Sequence, residues 1–224
     1  MKWLAIIVAG FVIFPIVQVG CVRMVNPPLT PLMLLRQAEA HFERHRPAPR
    51  AYHWIDLAQM PNAFLRCVLA SEDQRFFQHH GFDWQEVEIA RREALRKGTP
   101  PRGASTISMQ CARSLFLWQG RSWIRKGLEA YYTFWMEAFL SKRRILELYG
   151  NVIEMGDGIY GLEAAAQFHY RVNGRALTRE QAAMLAAILP NPREWDPTRP
   201  SAKLIARAVR ILQMEPALKV PSLR

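Results

Sequence analysis

Cysteine is scarce in this 224-residue chain: Cys21, Cys67 and Cys111 make an odd number with no metal-type spacing, so nothing points to a disulfide framework or a thiolate zinc site. Cys67 stands in the apolar stretch AFLRCVLA and reads as packing. Strand-type alternation is also scarce and no internal repeat is found, which leaves a mainly helical single domain. Acidic side chains are short in number, 19 against 30 basic ones, giving a net charge of +11 and a pI near 10.1. That excess favours a polyanionic partner, which charge alone leaves as nucleic acid, an anionic membrane surface or a phosphorylated substrate. Half of the residues are hydrophobic, enough for one core of ordinary domain size.

Charge is missing altogether from Trp3 to Val22, where Cys21 is the one ionisable side chain. The run is about long enough to cross a hydrocarbon core of roughly 30 Å and predicts a transmembrane helix. Pro15 would kink it, which bilayers tolerate, and Trp3 suits an interface. A cleaved signal peptide with acylation at Cys21 is the alternative; Gln18 sits badly in such a cleavage site, and the run is longer than a typical signal core. Lys2 on one side and Arg23 and Arg36 on the other nearly balance, so orientation must come from chemistry. The expected organisation is an anchor over 1–24, a stalk over 25–55 that opens with the proline-rich NPPLTP, and a compact domain over 56–224.

Helix signals recur through that domain. Pro61 opens a helix, and Asp83 with Glu86 forms a capping box for another that ends at Gly98. Ser105 is the expected N-cap of a helix to about Leu117, Ser122 of a long one to Leu140, and Ser141 of one to Tyr149. Thr178 with Gln181 makes a second capping box, for a helix that Pro190 stops, and Ser201 starts the last.

Two segments hold candidate chemistry. Glu72 and Asp73 fall at a helix end beside Phe76, Phe77, His79 and His80, where a partly desolvated carboxylate becomes a stronger base; an ordinary pair of solvated helix-end charges reads the same way. Gly103 to Gln110 then offers hydroxyls and backbone donors at a helix start. Arg113, Arg121, Arg125, Lys126 and Lys142 follow between hydrophobic stretches, with Arg125, Lys126 and Glu129 on one helix face. A surface ion-pair cluster would show the same spacing.

The order of these pieces resembles the family 51 glycosyltransferases of bacterial cell-wall synthesis, in particular the monofunctional biosynthetic transglycosylases. Five motifs carry it: Glu72-Asp73-x-x-Phe76-x-x-His79-x-Gly81, Gly103-x-Ser105-Thr106-x-x-x-Gln110, Arg125-Lys126-x-x-Glu129, Lys142-x-x-Ile145-Leu146-x-x-Tyr149-x-Asn151 and Arg207-x-x-x-Ile211-Leu212. They span about Leu65 to Met214. The resemblance implies a lysozyme-like, mainly α fold, with Glu72 as general base and Glu129 as a second essential acid. It implies a substrate groove formed by Ser105, Thr106, Gln110, Arg113, Arg121, Arg125, Lys126, Lys142 and Asn151. Met109 departs from the family, which usually has glutamine there; Arg113 replaces a lysine and keeps the cation.

The implied reaction polymerises lipid II into β-1,4-linked glycan at the outer, periplasmic face of the cytoplasmic membrane, in a single-pass protein. Its leaving group is an anionic lipid diphosphate, so cations can replace the proton donor that a glycosidase needs. The expected partners are lipid II, the growing glycan chain, the membrane and other cell-wall synthesis proteins, with no nucleic acid. No cofactor is required, although a divalent cation, Mg or Mn, fits at the diphosphate, where Glu129 would either bind it or orient the basic side chains. The stretch Leu115 to Trp123 reads equally as core or as a membrane-dipping surface. Rival readings are a lysozyme-like peptidoglycan hydrolase or lytic transglycosylase, and a catalytically silent membrane scaffold.

Overall fold

The computed structural model describes residues 2–42, 51–118, 120, 122–218 and 220–221, without the side chains of 4–8, 40 and 42. Ten helices and three short strands follow one another through these residues. The first is α1 (Lys2–Met24), with Pro15 inside it. Among the described residues no helix is long and apolar enough to cross a membrane. The carboxyl-terminal half of α1 lies on the body: Val19 and Val22 join the main core. Arg144 donates to the carbonyl of Val22 from Nε at 2.9 Å and from Nη2 at 2.8 Å, satisfying an acceptor that the helix end leaves open.

Much of the expected stalk is folded. A helix, α2 (Pro31–Phe42), is followed by β1 (Ala51–Tyr52), and Leu32 and Met33 pack with Tyr52 and Tyr160. Arg36 reaches Glu154 at 3.3 Å, and the Tyr52 hydroxyl donates to the carbonyl of Pro27 at 2.7 Å. The proline-rich opening masked the start of α2 at Pro31, whereas the polar stretch from Arg36 to Arg50 reads from the sequence as either helix or linker.

The body consists of α3 (Asn62–Glu72), α4 (Trp84–Lys97), α5 (Ile107–Phe116), α6 (Trp123–Phe139) and α7 (Lys142–Val152), then α8 (Gly161–Ala165), α9 (Arg179–Ile188) and α10 (Ala202–Met214). Between α7 and α8 the chain forms β2 (Glu154–Gly156) and β3 (Ile159–Tyr160). β3 is the central strand, parallel to β1 and antiparallel to β2.

The caps largely follow the expected chemistry. The side chains of Ser122, Ser141 and Ser201 accept from the backbone N–H of Arg125, Arg144 and Leu204, and Thr178 with Gln181 completes its capping box. Two differ. Thr106 caps α5 where Ser105 was expected, because its hydroxyl, rather than that of Ser105, accepts from Met109 N–H. Asp83 caps α4 alone, since Glu86 pairs with Arg102 instead of closing the box. The core lies where α3, α5, α7, α8 and α9 meet, with Phe64, Phe76, Met136 and Tyr149 among its largest side chains. The burial pushes the Cys67 thiol up to about 12 and Cys111 up further, so both remain neutral packing groups.

Candidate active site

Glu72 is the last residue of α3, at the end where the helix dipole is negative, so an anion there needs donors from elsewhere in the fold. It has them. Ser71 Oγ donates to Oε1 at 2.8 Å, Arg207 Nη2 on α10 to the same oxygen at 3.1 Å, and Gln110 Nε2 on α5 to Oε2 at 3.0 Å. The carboxylate opens into a cavity of about 610 Å³ whose wall also includes Arg75, Arg102, Ser105, Gln110 and Arg207.

Asp73, one residue on, turns the other way. Its carboxylate meets His79 Nε2 at 3.0 and 3.1 Å and accepts from Ile107 N–H at 3.0 Å, tying the end of α3 to the start of α5. The Thr106 hydroxyl donates to the Gly81 carbonyl at 2.6 Å and closes the same corner. Gly81 has φ of +87°, and a Cβ there would lie 2.8 Å from Thr133 Cγ2, so the EDxxFxxHxG spacing builds a tight corner that presents Glu72 outward.

On the first turns of α6, Glu129 is 0 % exposed and its two oxygens are both taken. Arg125 Nη1 donates to Oε2 at 2.9 Å and Lys126 Nζ to Oε1 at 2.5 Å. Lys126 also reaches Ser105 Oγ at 3.0 Å, which brings an ammonium group to the cavity wall. A carboxylate at one end of a pocket and a held cation at its side match the requirements of a transfer from an anionic leaving group.

A family model described as transglycosylase matches residues 39–215. The chain belongs to the transglycosylase family. A Xanthomonas campestris pv. campestris (strain B100) protein named biosynthetic peptidoglycan transglycosylase is 44 % identical over 211 residues, covering 94 % of this chain and 85 % of its own. Proteins of the same name from Xylella fastidiosa (strain 9a5c) and Pseudomonas fluorescens (strain SBW25) are 46 % and 42 % identical, over 86 % and 92 % of this chain and 79 % and 85 % of theirs.

Within this transglycosylase fold, not every motif residue faces the cavity. Glu72, Ser105, Thr106 and Gln110 line it, and Lys126 is hydrogen-bonded to it, with Arg125 and Glu129 behind. Asn151, expected in the groove, lies fully buried behind it, where its amide accepts from Ile55 N–H at 2.8 Å and donates to Ile55 O at 2.9 Å. It pins the segment before α3 to α7. Lys142 is likewise turned to Glu137, 2.8 Å away, and lies over the Phe76 ring at 4.4 Å. Arg113 is half-buried on α5 outside the cavity lining, near enough to Tyr149 for its charge to act on that phenol. Arg121 lies outside the described residues. Met109 is buried, so the departure from the family's usual glutamine falls on a packed position.

Among the polar cavity residues, Ser71, Gln74, Arg75, Arg102 and Arg207 had no role assigned from sequence, although Arg207 opens the last motif. The signal for Arg102 was its place in the PPRG loop just before Ser105; Ser71 and Arg75 had none beyond adjacency to Glu72. Asp73, His79 and Asp83 bring ligand-type atoms within 4.8 Å of one another. Asp73 is already committed to His79 and Ile107, and Asp83 to the cap of α4.

Proposed function

We propose that the protein is a peptidoglycan glycosyltransferase that polymerises lipid II into β-1,4-linked glycan chains and releases undecaprenyl diphosphate. The observation that carries this is the carboxylate of Glu72 opening into a cavity whose wall holds Ser105, itself bonded to Lys126. Glu72 takes the proton from the 4-hydroxyl of N-acetylglucosamine on incoming lipid II as that oxygen attacks C1 of the chain's terminal N-acetylmuramic acid. The C1–O bond breaks with its electrons on the diphosphate, and the configuration inverts. Lys126, with Ser105 and Arg125, supports the negative charge that develops there.

Glu129 orients these cations. Each Glu129 oxygen already accepts from one cation, Arg125 or Lys126, and two positive charges in direct contact with the carboxylate oppose the approach of a divalent ion. The uncharged Trp3–Val22 run, together with exposed Phe11, Phe14, Trp118, Trp123 and Ile124, supports a protein held at the cytoplasmic membrane by a single pass, its body on the periplasmic side. Both substrates carry polyprenyl tails, so sharing one bilayer raises their effective concentration. Other cell-wall synthesis proteins are the natural further partners of such a body.

The test is labelled lipid II with purified protein. The wild type lengthens glycan, and Glu72→Gln forms no polymer while its thermal unfolding is unchanged. Full activity in that variant refutes the role of Glu72, and shortening of finished peptidoglycan by the wild type would instead mark a hydrolase.

A further inference from the structure

The two oxygens of Glu72 are not equivalent. Oε1 accepts from Ser71 Oγ at 2.8 Å and Arg207 Nη2 at 3.1 Å, and Nη2 also donates to Ser71 Oγ at 2.9 Å. The hydroxyl thus receives from the guanidinium and, of its two acceptors, gives its one proton to the carboxylate at 2.8 Å rather than to the carbonyl of Ala186 at 3.3 Å. Arg207 is itself fixed, because its Nε donates to the carbonyl of Ala187 at 3.1 Å, at the end of α9. A carboxylate oxygen has two in-plane lone pairs, and those of Oε1 are both used.

Oε2 accepts from Gln110 Nε2 alone among the described residues, at 3.0 Å. Gln110 is oriented in turn by Tyr149, whose hydroxyl donates to its Oε1 at 3.1 Å. Burial, and secondarily the charge of Glu72, raises the Tyr149 phenol well above its ordinary value, so it remains a donor and keeps the amide N–H turned towards Glu72. One lone pair of Oε2 stays open.

We propose that Arg207 is a positioning residue for the general base: with Ser71 it saturates Oε1 and so presents Oε2 of Glu72 as the atom that receives the substrate proton. This rests on the assignment of Glu72 as base. In the step, the O4–H proton passes to Oε2 while the O4–C1 bond forms and the diphosphate leaves with the electrons of the C1–O bond. Arg207 lies 3.1 Å from the base and acts through it, without a share in the bond changes.

The experiment measures steady-state polymerisation of fluorescent lipid II by the full chain and its Arg207→Gln, Arg207→Lys and Ser71→Ala variants. Arg207→Gln should lower kcat by about ten- to a hundredfold, with KM within about threefold, because orientation is lost and binding is kept. Arg207→Lys should recover part of kcat by restoring a donor to Oε1. Ser71→Ala, which leaves α10 untouched, should lower kcat in the same sense and carries the test alone if Arg207→Gln unfolds. Unchanged kcat, or a raised KM at unchanged kcat, in both Arg207→Gln and Ser71→Ala overturns the proposal. An active Glu72→Gln enzyme would instead overturn the underlying assignment of the base.

Discussion

At the scale of single residues, burial separates side chains that look alike in the sequence. Glu129 and Asn151 are both motif residues, and both are fully enclosed. Glu129 neutralises two cations, of which Arg125 is nearly buried and cannot turn to water as Lys126 can. Glu129→Ala strands that guanidinium and should cost about 3 kcal/mol of stability, seen as a lower urea midpoint, together with loss of polymerisation. Asn151→Ala leaves the N–H and C=O of Ile55 without their partner, which should cost about 2 kcal/mol. KM for lipid II in that variant should stay unchanged; a raised KM at unchanged stability would return Asn151 to the groove. The sequence marked both positions through their spacing, since a motif records that a residue matters. It does not record whether the side chain faces substrate or backbone, because that depends on where Ile55, 96 positions away, is packed.

At the scale of elements, helices with local caps were readable and those stabilised from afar were not. Ser122, Ser141, Thr178 and Ser201 start helices through bonds spanning three residues, so the chemistry is visible in a short window. The three strands have two or three residues each, too short for alternation, and β1 meets β3 from 108 positions away. Gly161, the first residue of α8, has φ of +77°, and a Cβ on it would lie 2.3 Å from the carbonyl oxygen of Asn151. The obstacle is backbone, and the α7 carbonyl cannot give way without disturbing the Asn151 clamp. Gly161→Ala should therefore cost at least about 3 kcal/mol, combining positive-φ strain with the clash, and should appear as a thermal midpoint well below that of the wild type. An unshifted midpoint would mean that this junction is free to relax.

At the scale of the whole molecule, apolar surface is left open on the side formed by α1 and α6. Phe11 stacks on Tyr131 at 4.9 Å, and Tyr132 donates to Gln18 at 2.5 Å, so the two helices are joined near the middle of α6. Of the stretch read equally as core or membrane surface, Leu115 and Leu117 are core, whereas Trp118 is 44 % and Trp123 92 % exposed, with Ile124 beside it at 76 %. Burying Trp123 and Ile124 in lipid would contribute about 3 kcal/mol to holding the body against the bilayer, a term that exists only when a bilayer is present. A full chain carrying Trp123→Ser and Ile124→Ser should therefore polymerise lipid II roughly tenfold more slowly in vesicles, yet within about twofold of the wild type in detergent micelles, where no surface has to be found. An equal loss in both media would place these side chains in the catalytic fold, and no loss in vesicles would leave α1 as the sole contact with lipid. If the two side chains enter lipid, anionic lipid should strengthen the vesicle effect and added salt should weaken it, because a net charge of +11 would draw the chain to the same surface.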